Sequence, residues 1–181
     1  MKIELFTVAL AATSMLAAIG TASAHGPTRQ KVSESIVINA PPAKVWGVVS
    51  NFQDGGWIPV VAKTEGTGGN EAGAKRTLTL KNDATVDEEL AKVEPDKMTL
   101  MYRITQVDVK VLPVTNYSSW LVVTPEDGGA KSKVEWRGAF YRGYPNNDPP
   151  PELNDEAAVN AVTGLYKAGL ESMKKQIEGG S

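Results

Sequence analysis

Arg76 and Glu88 are the two residues of this chain whose types and spacing most invite chemistry between them. Each sits on the apolar side of a strand-like alternation, Arg76 with Leu78 and Leu80, Glu88 with Val86 and Leu90. Counting by twos therefore turns both side chains toward an interior. A charge taken out of water is costly unless it is paired, so each residue accounts for the other. With a turn over 81–85 the two would be diagonal neighbours, about 7–8 Å apart at the backbone and within reach of two long side chains. Such a pair could be the polar anchor of an apolar ligand cavity or a structural ion pair at its rim. Trp57, Tyr102, Trp136 and Tyr166 could line the same cavity, although aromatic residues at this spacing also serve as plain core.

A second group of oxygen donors lies near the end of the chain. Asp148, Glu152, Asp155 and Glu156 fall within nine residues, and a hard cation such as calcium or a lanthanide favours carboxylate oxygens. The spacing fits no EF-hand, so no firm metal site follows. The same acids read as a solvated loop followed by favourable charge at a helix N-terminus. Tyr144, Asn146, Asn147 and Asp148 precede three consecutive prolines, and a stiff segment loses little freedom on docking. With Trp120 they are the candidate contact surface for a protein partner. Both faces of the strand around Trp120 are partly apolar, which leaves that residue open between docking and core.

Most catalytic machinery is missing. The chain has no cysteine and a single histidine, His25, which removes cysteine nucleophiles, thiolate metal sites, histidine-containing triads and histidine-rich zinc sites. No catalytic residue and no cofactor is assigned, and the chain is expected not to be an enzyme. Its 19 basic and 21 acidic residues leave a net charge of −2, a balance that argues against nucleic acid and strongly anionic membrane surfaces.

The elements that must position these groups are readable from periodicity. Lys2, an apolar run over 5–19 and Ala22-Ser23-Ala24 spell a secretory signal cleaved after Ala24, leaving 25–181 as one exported domain. The run is too short to span a membrane, and no later run is long enough. A strand over 32–38 leads to a short helix opened by Pro41 and Pro42, with Val45, Trp46, Val49 and Phe52 on its apolar face. Strands over 60–65, 75–80, 85–93, 98–105, 117–124 and 132–142 follow, separated by turn-forming glycine, asparagine, aspartate and proline. A long helix starts at Asn154 or Asp155 and stops before Gly179, with Val159, Val162, Tyr166, Leu170, Met173 and Ile177 on one stripe. Gly164 and Gly169 on it would allow close backbone approach. The order predicts an α+β helix-grip fold, a curved antiparallel sheet wrapped around the C-terminal helix with a cavity between them.

Ala40-Pro41-Pro42-Ala43-Lys44-Val45-Trp46, the stretch 73–80, and Glu88 ahead of Glu94-Pro95 resemble the polyketide cyclase/START-like (SRPBCC) superfamily. The stretches 108–119 and 133–148 resemble more narrowly the MxaD-type periplasmic proteins encoded with methanol oxidation systems. That resemblance implies a periplasmic accessory that assists methanol dehydrogenase, or its electron transfer to a c-type cytochrome, by protein contact. It carries no defined catalytic residues. It leaves two alternatives, a carrier of a small apolar or anionic molecule such as a quinone or lipid, and a calcium or lanthanide delivery protein. A monomer or weak dimer is expected.

Overall fold

The computed structural model describes residues 26–180. The expected signal segment 1–24 and His25 lie outside the described residues. In chain order the elements are β1 (Gln30–Ile38), α1 (Pro42–Val49), β2 (Val61–Thr67), β3 (Lys75–Leu80), β4 (Thr85–Glu94), β5 (Thr99–Val107), β6 (Val114–Glu126), β7 (Lys131–Arg142) and α2 (Asp155–Gly179). They form one antiparallel sheet of order β1-β7-β6-β5-β4-β3-β2. Strands β2 to β7 join sequential neighbours, whereas β1 pairs with β7. The α1 segment and the turns after it therefore carry the chain from one sheet edge to the other.

Several features give the sheet its curvature. Register shifts interrupt β2/β3 at Val61/Lys63, β4/β5 at Asp87/Glu88 and Leu90/Lys92, and β6/β7 at Thr115/Ser118. An extra residue on one strand bends it and tightens its twist. At the last of these shifts Asn116 takes a positive φ of 53°, a conformation asparagine tolerates better than most residues. The result is the curved sheet and long C-terminal helix of the helix-grip arrangement.

α2 begins where the caps dictate. The Asn154 side chain accepts a hydrogen bond from the Ala157 N–H at 2.8 Å, and Asp155 and Glu156 occupy the positive end of the helix dipole. Its buried stripe is Ala158, Val162, Tyr166, Gly169, Leu170, Met173 and Ile177. Val159, expected on that stripe, is only half-buried, and Ala158 replaces it. Each large apolar side chain of the stripe contributes about 1.5–3 kcal/mol by leaving water. The helix includes Gly179 rather than stopping before it, and Lys44 of α1 donates to the Ile177 carbonyl at 3.0 Å. α1 is shorter than its apolar pattern, ending at Val49, so Phe52 is buried from the turn beyond it.

α2 packs chiefly along β1 and β7. Gly169 permits this, because a Cβ there would lie 2.6 Å from Cζ3 of Trp136. Gly164 does not work in the same way: a Cβ there meets nothing within 4 Å. Since α2 sits over one side of a curved sheet, its other flank is left facing β3, β4 and β5 across open space.

Candidate ligand-binding cavity

The β3–β4 turn sets the centre of the site. The Asp83 N–H donates to the Leu80 carbonyl at 2.9 Å, the Leu80 N–H donates to the Ala84 carbonyl at 2.8 Å, and Asp83 has a φ of 64°. This tight turn, a type I bend closed by one left-handed residue, makes Thr85 part of β4 and pairs it with Thr79. Arg76 consequently stands directly opposite Glu88, not diagonal to it as a turn over 81–85 would require.

Arg76 Nε donates to Glu88 Oε2 at 2.6 Å, and both residues are 5% exposed. Arg76 Nη1 donates to the Phe52 carbonyl at 2.7 Å, and the guanidinium carbon lies 4.3 Å from the Phe52 ring centroid and 5.7 Å from that of Tyr102. Burial raises the Glu88 pKa above the usual carboxylate value, while the charge and hydrogen bond of Arg76 oppose that rise.

Between α2 and β3–β5 lies a cavity of about 550 Å³. Leu78, Leu80 and Val86 line one wall, and Ala161, Gly164 and Leu165 of α2 the other. Val60, Lys81 and Asn82, all exposed, mark its open border. Away from that border, Glu88, Tyr102, Tyr117 and Trp136 bring polar atoms to an otherwise apolar lining.

Those aromatic groups belong to one hydrogen-bonded chain. Trp136 Nε1 donates to Ser119 Oγ at 2.8 Å and approaches the Tyr102 hydroxyl at 3.1 Å. Ser119 Oγ lies 3.0 Å from the Tyr166 hydroxyl, which is 2.5 Å from that of Tyr117. The Tyr166 ring stacks on Trp136 at 4.2 Å, and Trp57 meets Trp136 edge-on at 5.1 Å. Burial, then the Glu88 charge, pushes Tyr102 up to about 12. Burial likewise drives Tyr117 and Tyr166 upward. All three hydroxyls keep their protons at neutral pH and act as neutral hydrogen-bonding groups.

Of the six cavity residues expected from sequence, Glu88, Tyr102 and Trp136 face the cavity. Trp57 and Tyr166 stand behind Trp136 as packing, and Arg76 borders a second, more polar groove with Glu65, Lys75 and Asp87. Alternation alone missed Tyr117 and Ser119. Their signal was a serine on the apolar side of a strand that also carries Tyr117, Leu121 and Val123, a buried hydroxyl in need of partners.

The remaining candidates lie elsewhere. Trp120 is half-buried on the outer face, its ring centroid 5.8 Å from the Arg137 guanidinium. Tyr144 is half-buried, and Asn146, Asn147 and Asp148 are exposed. Asp148, Glu152, Asp155 and Glu156 do not converge: among the described residues no group of three or more histidine, cysteine, aspartate or glutamate side chains could hold a metal ion. Asp155 instead accepts from Arg142 Nη1 at 3.2 Å. No helix among the described residues is long and apolar enough to cross a membrane.

The family model described as polyketide cyclase / dehydrase and lipid transport matches residues 29–178. A solved structure of an uncharacterized protein from Bacillus thuringiensis is 26% identical, with a TM-score of 0.69 over 82% of this chain and 98% of that one. The protein XoxI from Bacillus cereus is 27% identical, with a TM-score of 0.68 over 81% and 94%. Norcoclaurine synthase from Thalictrum flavum, 15% identical with a TM-score of 0.64 over 94% and 97%, shares the fold. No curated protein matches the chain.

Proposed function

Because the chain belongs to the polyketide cyclase / dehydrase and lipid transport family, we propose that it binds a small, mainly apolar molecule in the cavity between α2 and β3–β5. The carrying observation is the make-up of that cavity, about 550 Å³ of apolar wall with Glu88, Tyr102 and Tyr117 at one part of it. Small-ligand sites span about 300–1,000 Å³ and combine apolar walls with a few convergent polar groups that fix orientation. Within the lining the tyrosines hold their protons and Glu88 is engaged by Arg76. Native mass spectrometry of protein purified from its own host tests this. A bound mass released on denaturation is expected, and a clean unliganded mass that stays unshifted with added quinone, fatty acid and alkylphenol would remove the reading.

A narrower reading follows from the MxaD-like stretches 108–119 and 133–148. In it the protein is periplasmic and assists methanol dehydrogenase, or its delivery of electrons to a c-type cytochrome, by contact. The supporting observation is Arg142, only 7% exposed. It donates to the carbonyls of Tyr144 and Asn146, each at 2.8 Å, and to Asp155. The loop carrying exposed Asn146, Asn147 and Asp148 is thereby braced before any partner arrives, which lowers the entropy lost on docking. Deleting the gene and assaying methanol-dependent dye and cytochrome reduction in periplasmic extracts tests the role. A reduced rate of either is expected, and unchanged rates of both would dismiss it.

A further inference from the structure

The polar part of the cavity has a direction that can be read by following its protons. Ser119 has one hydroxyl proton, and its oxygen donates to the Arg137 carbonyl at 3.0 Å. At the 3.0 Å contact with Tyr166, Ser119 must therefore accept, so Tyr166 is the donor. Tyr166 has then spent its proton, and at their shared contact Tyr117 must donate to it. Tyr117 is left as an acceptor. The chain ends at Tyr102, whose oxygen accepts from Trp136 Nε1 at 3.1 Å. Its proton has the Tyr117 oxygen, 3.5 Å away, and Ser119, whose oxygen already accepts from Trp136 and Tyr166. A hydrogen bond at that distance is weak. Tyr102 is thus the hydroxyl of this network free to donate into the cavity.

Glu88 supplies the complementary function. In the β4–β5 register Leu90 faces Tyr102 and Glu88 faces Ile104, so Glu88 and Tyr102 are diagonal neighbours on one face. Both line the cavity. Lys81 stands exposed at the open border, and the buried cation nearest Glu88 is turned away from the interior. Arg76 is committed to Glu88 and to the Phe52 carbonyl, lies against the Phe52 ring, and does not line the cavity. What the interior presents is one carboxylate and one donating hydroxyl.

Resting on the reading of this cavity as a ligand site, we infer that it selects uncharged apolar molecules ending in a hydroxyl, with the ligand's proton given to Glu88 and its oxygen accepting from Tyr102. Carboxylates are disfavoured, because the interior offers their charge no uncommitted cation. Of the apolar or anionic molecule that the sequence left open, the cavity favours the uncharged one.

Four probes of nearly equal size separate the terms: 4-propylphenol, 4-propylanisole, propylbenzene and 4-propylbenzoate, the last ionised at neutral pH. Titrations of the purified protein are followed by the indole N–H resonance of Trp136, which reports occupancy of this cavity. The phenol is expected to bind about tenfold or more tighter than the anisole, which keeps the oxygen and lacks the proton. The benzoate is expected to bind more weakly than propylbenzene. Tyr102→Phe should lower phenol affinity about threefold or more relative to that of propylbenzene, whose continued binding shows that the variant keeps its cavity. An anisole equal to the phenol, or a benzoate as tight as it, would overturn the selectivity and leave the cavity as an apolar site. If none of the four moves the Trp136 resonance, the ligand-site reading falls and the selectivity with it. The comparison of phenol with anisole needs only the wild-type protein, so it decides the matter even if Tyr102→Phe fails to fold.

Discussion

Glu88 makes a heavy electrostatic demand on this core, because its carboxylate is buried with Arg76 as its charged partner. Replacing Arg76 by methionine keeps the bulk and removes the charge, leaving a buried acid unpaired at a cost of about 3–5 kcal/mol. The pH dependence has a definite sign. The folded Glu88 pKa lies above the ordinary 4.5, so in the window above that value the unfolded chain has released a proton that the folded chain retains. The folded state binds more protons there, and the contribution of this group to stability falls as pH rises through the window. Below the window both states are protonated and the group contributes no slope. In Arg76→Met the two influences that hold Glu88 down are gone, so the window extends upward and the loss deepens. Denaturant titrations of both proteins between about pH 4 and about pH 8 should show a steeper decline for the variant. Parallel declines would mean that Arg76 has little hold on the Glu88 proton.

Among the elements, α2 is where packing and cavity compete for the same surface. Glycine inside a helix costs about 0.8–1 kcal/mol relative to alanine, and α2 carries two at interior positions, Gly164 and Gly169. Gly164→Ala adds a methyl that meets nothing within 4 Å, so it is expected to stabilise the protein by about 0.5–1 kcal/mol. That methyl also enters the cavity lining. Gly169→Ala is expected to destabilise by about 1–3 kcal/mol. Its methyl would sit 2.6 Å from Trp136 Cζ3 and 3.2 Å from Trp57 Cζ3, so the Trp136 ring must leave its stack on Tyr166. Thermal melts of the two variants should move in opposite directions from the wild type, and two shifts of the same sign would contradict this account of α2.

At the scale of the molecule, α1, α2 and all seven strands feed one cluster of buried side chains, from Val32 on β1 to Ile177 near the end of α2. Trp57 and Trp136 lie inside it, so tryptophan fluorescence reports the core while far-UV circular dichroism reports the sheet and helices. With one core cluster among the described residues, the two transitions should coincide in denaturant. Saturating the cavity with 4-propylphenol at a hundredfold excess over its Kd should raise stability by about 2.7 kcal/mol. A fluorescence transition that precedes the loss of ellipticity would show that α2 leaves the sheet before the rest unfolds.

The element order, the inward faces of β3, β4, β5 and β7, and the start of α2 at its asparagine cap were legible in the sequence, because each rests on local rules. Alternation, helical spacing and capping involve residues a few positions apart. The direct pairing of Arg76 with Glu88 was not legible, since moving a turn by one residue changes every partner across the hairpin. The separation of Tyr102, Trp136 and Glu88, which face the cavity, from Tyr166, Trp57 and Arg76, which do not, was hidden for a related reason. All six are buried, and packing between distant segments decides which reach the cavity: Trp57 and Tyr166 stack around Trp136, and Arg76 lies against Phe52. The acids at 148–156 show the same limit, with Asp155 drawn to Arg142 and the others left apart. Sequence spacing determines which face of an element a side chain occupies, whereas register, bulges and helix placement determine what stands across from it, because those depend on residues far away in the chain.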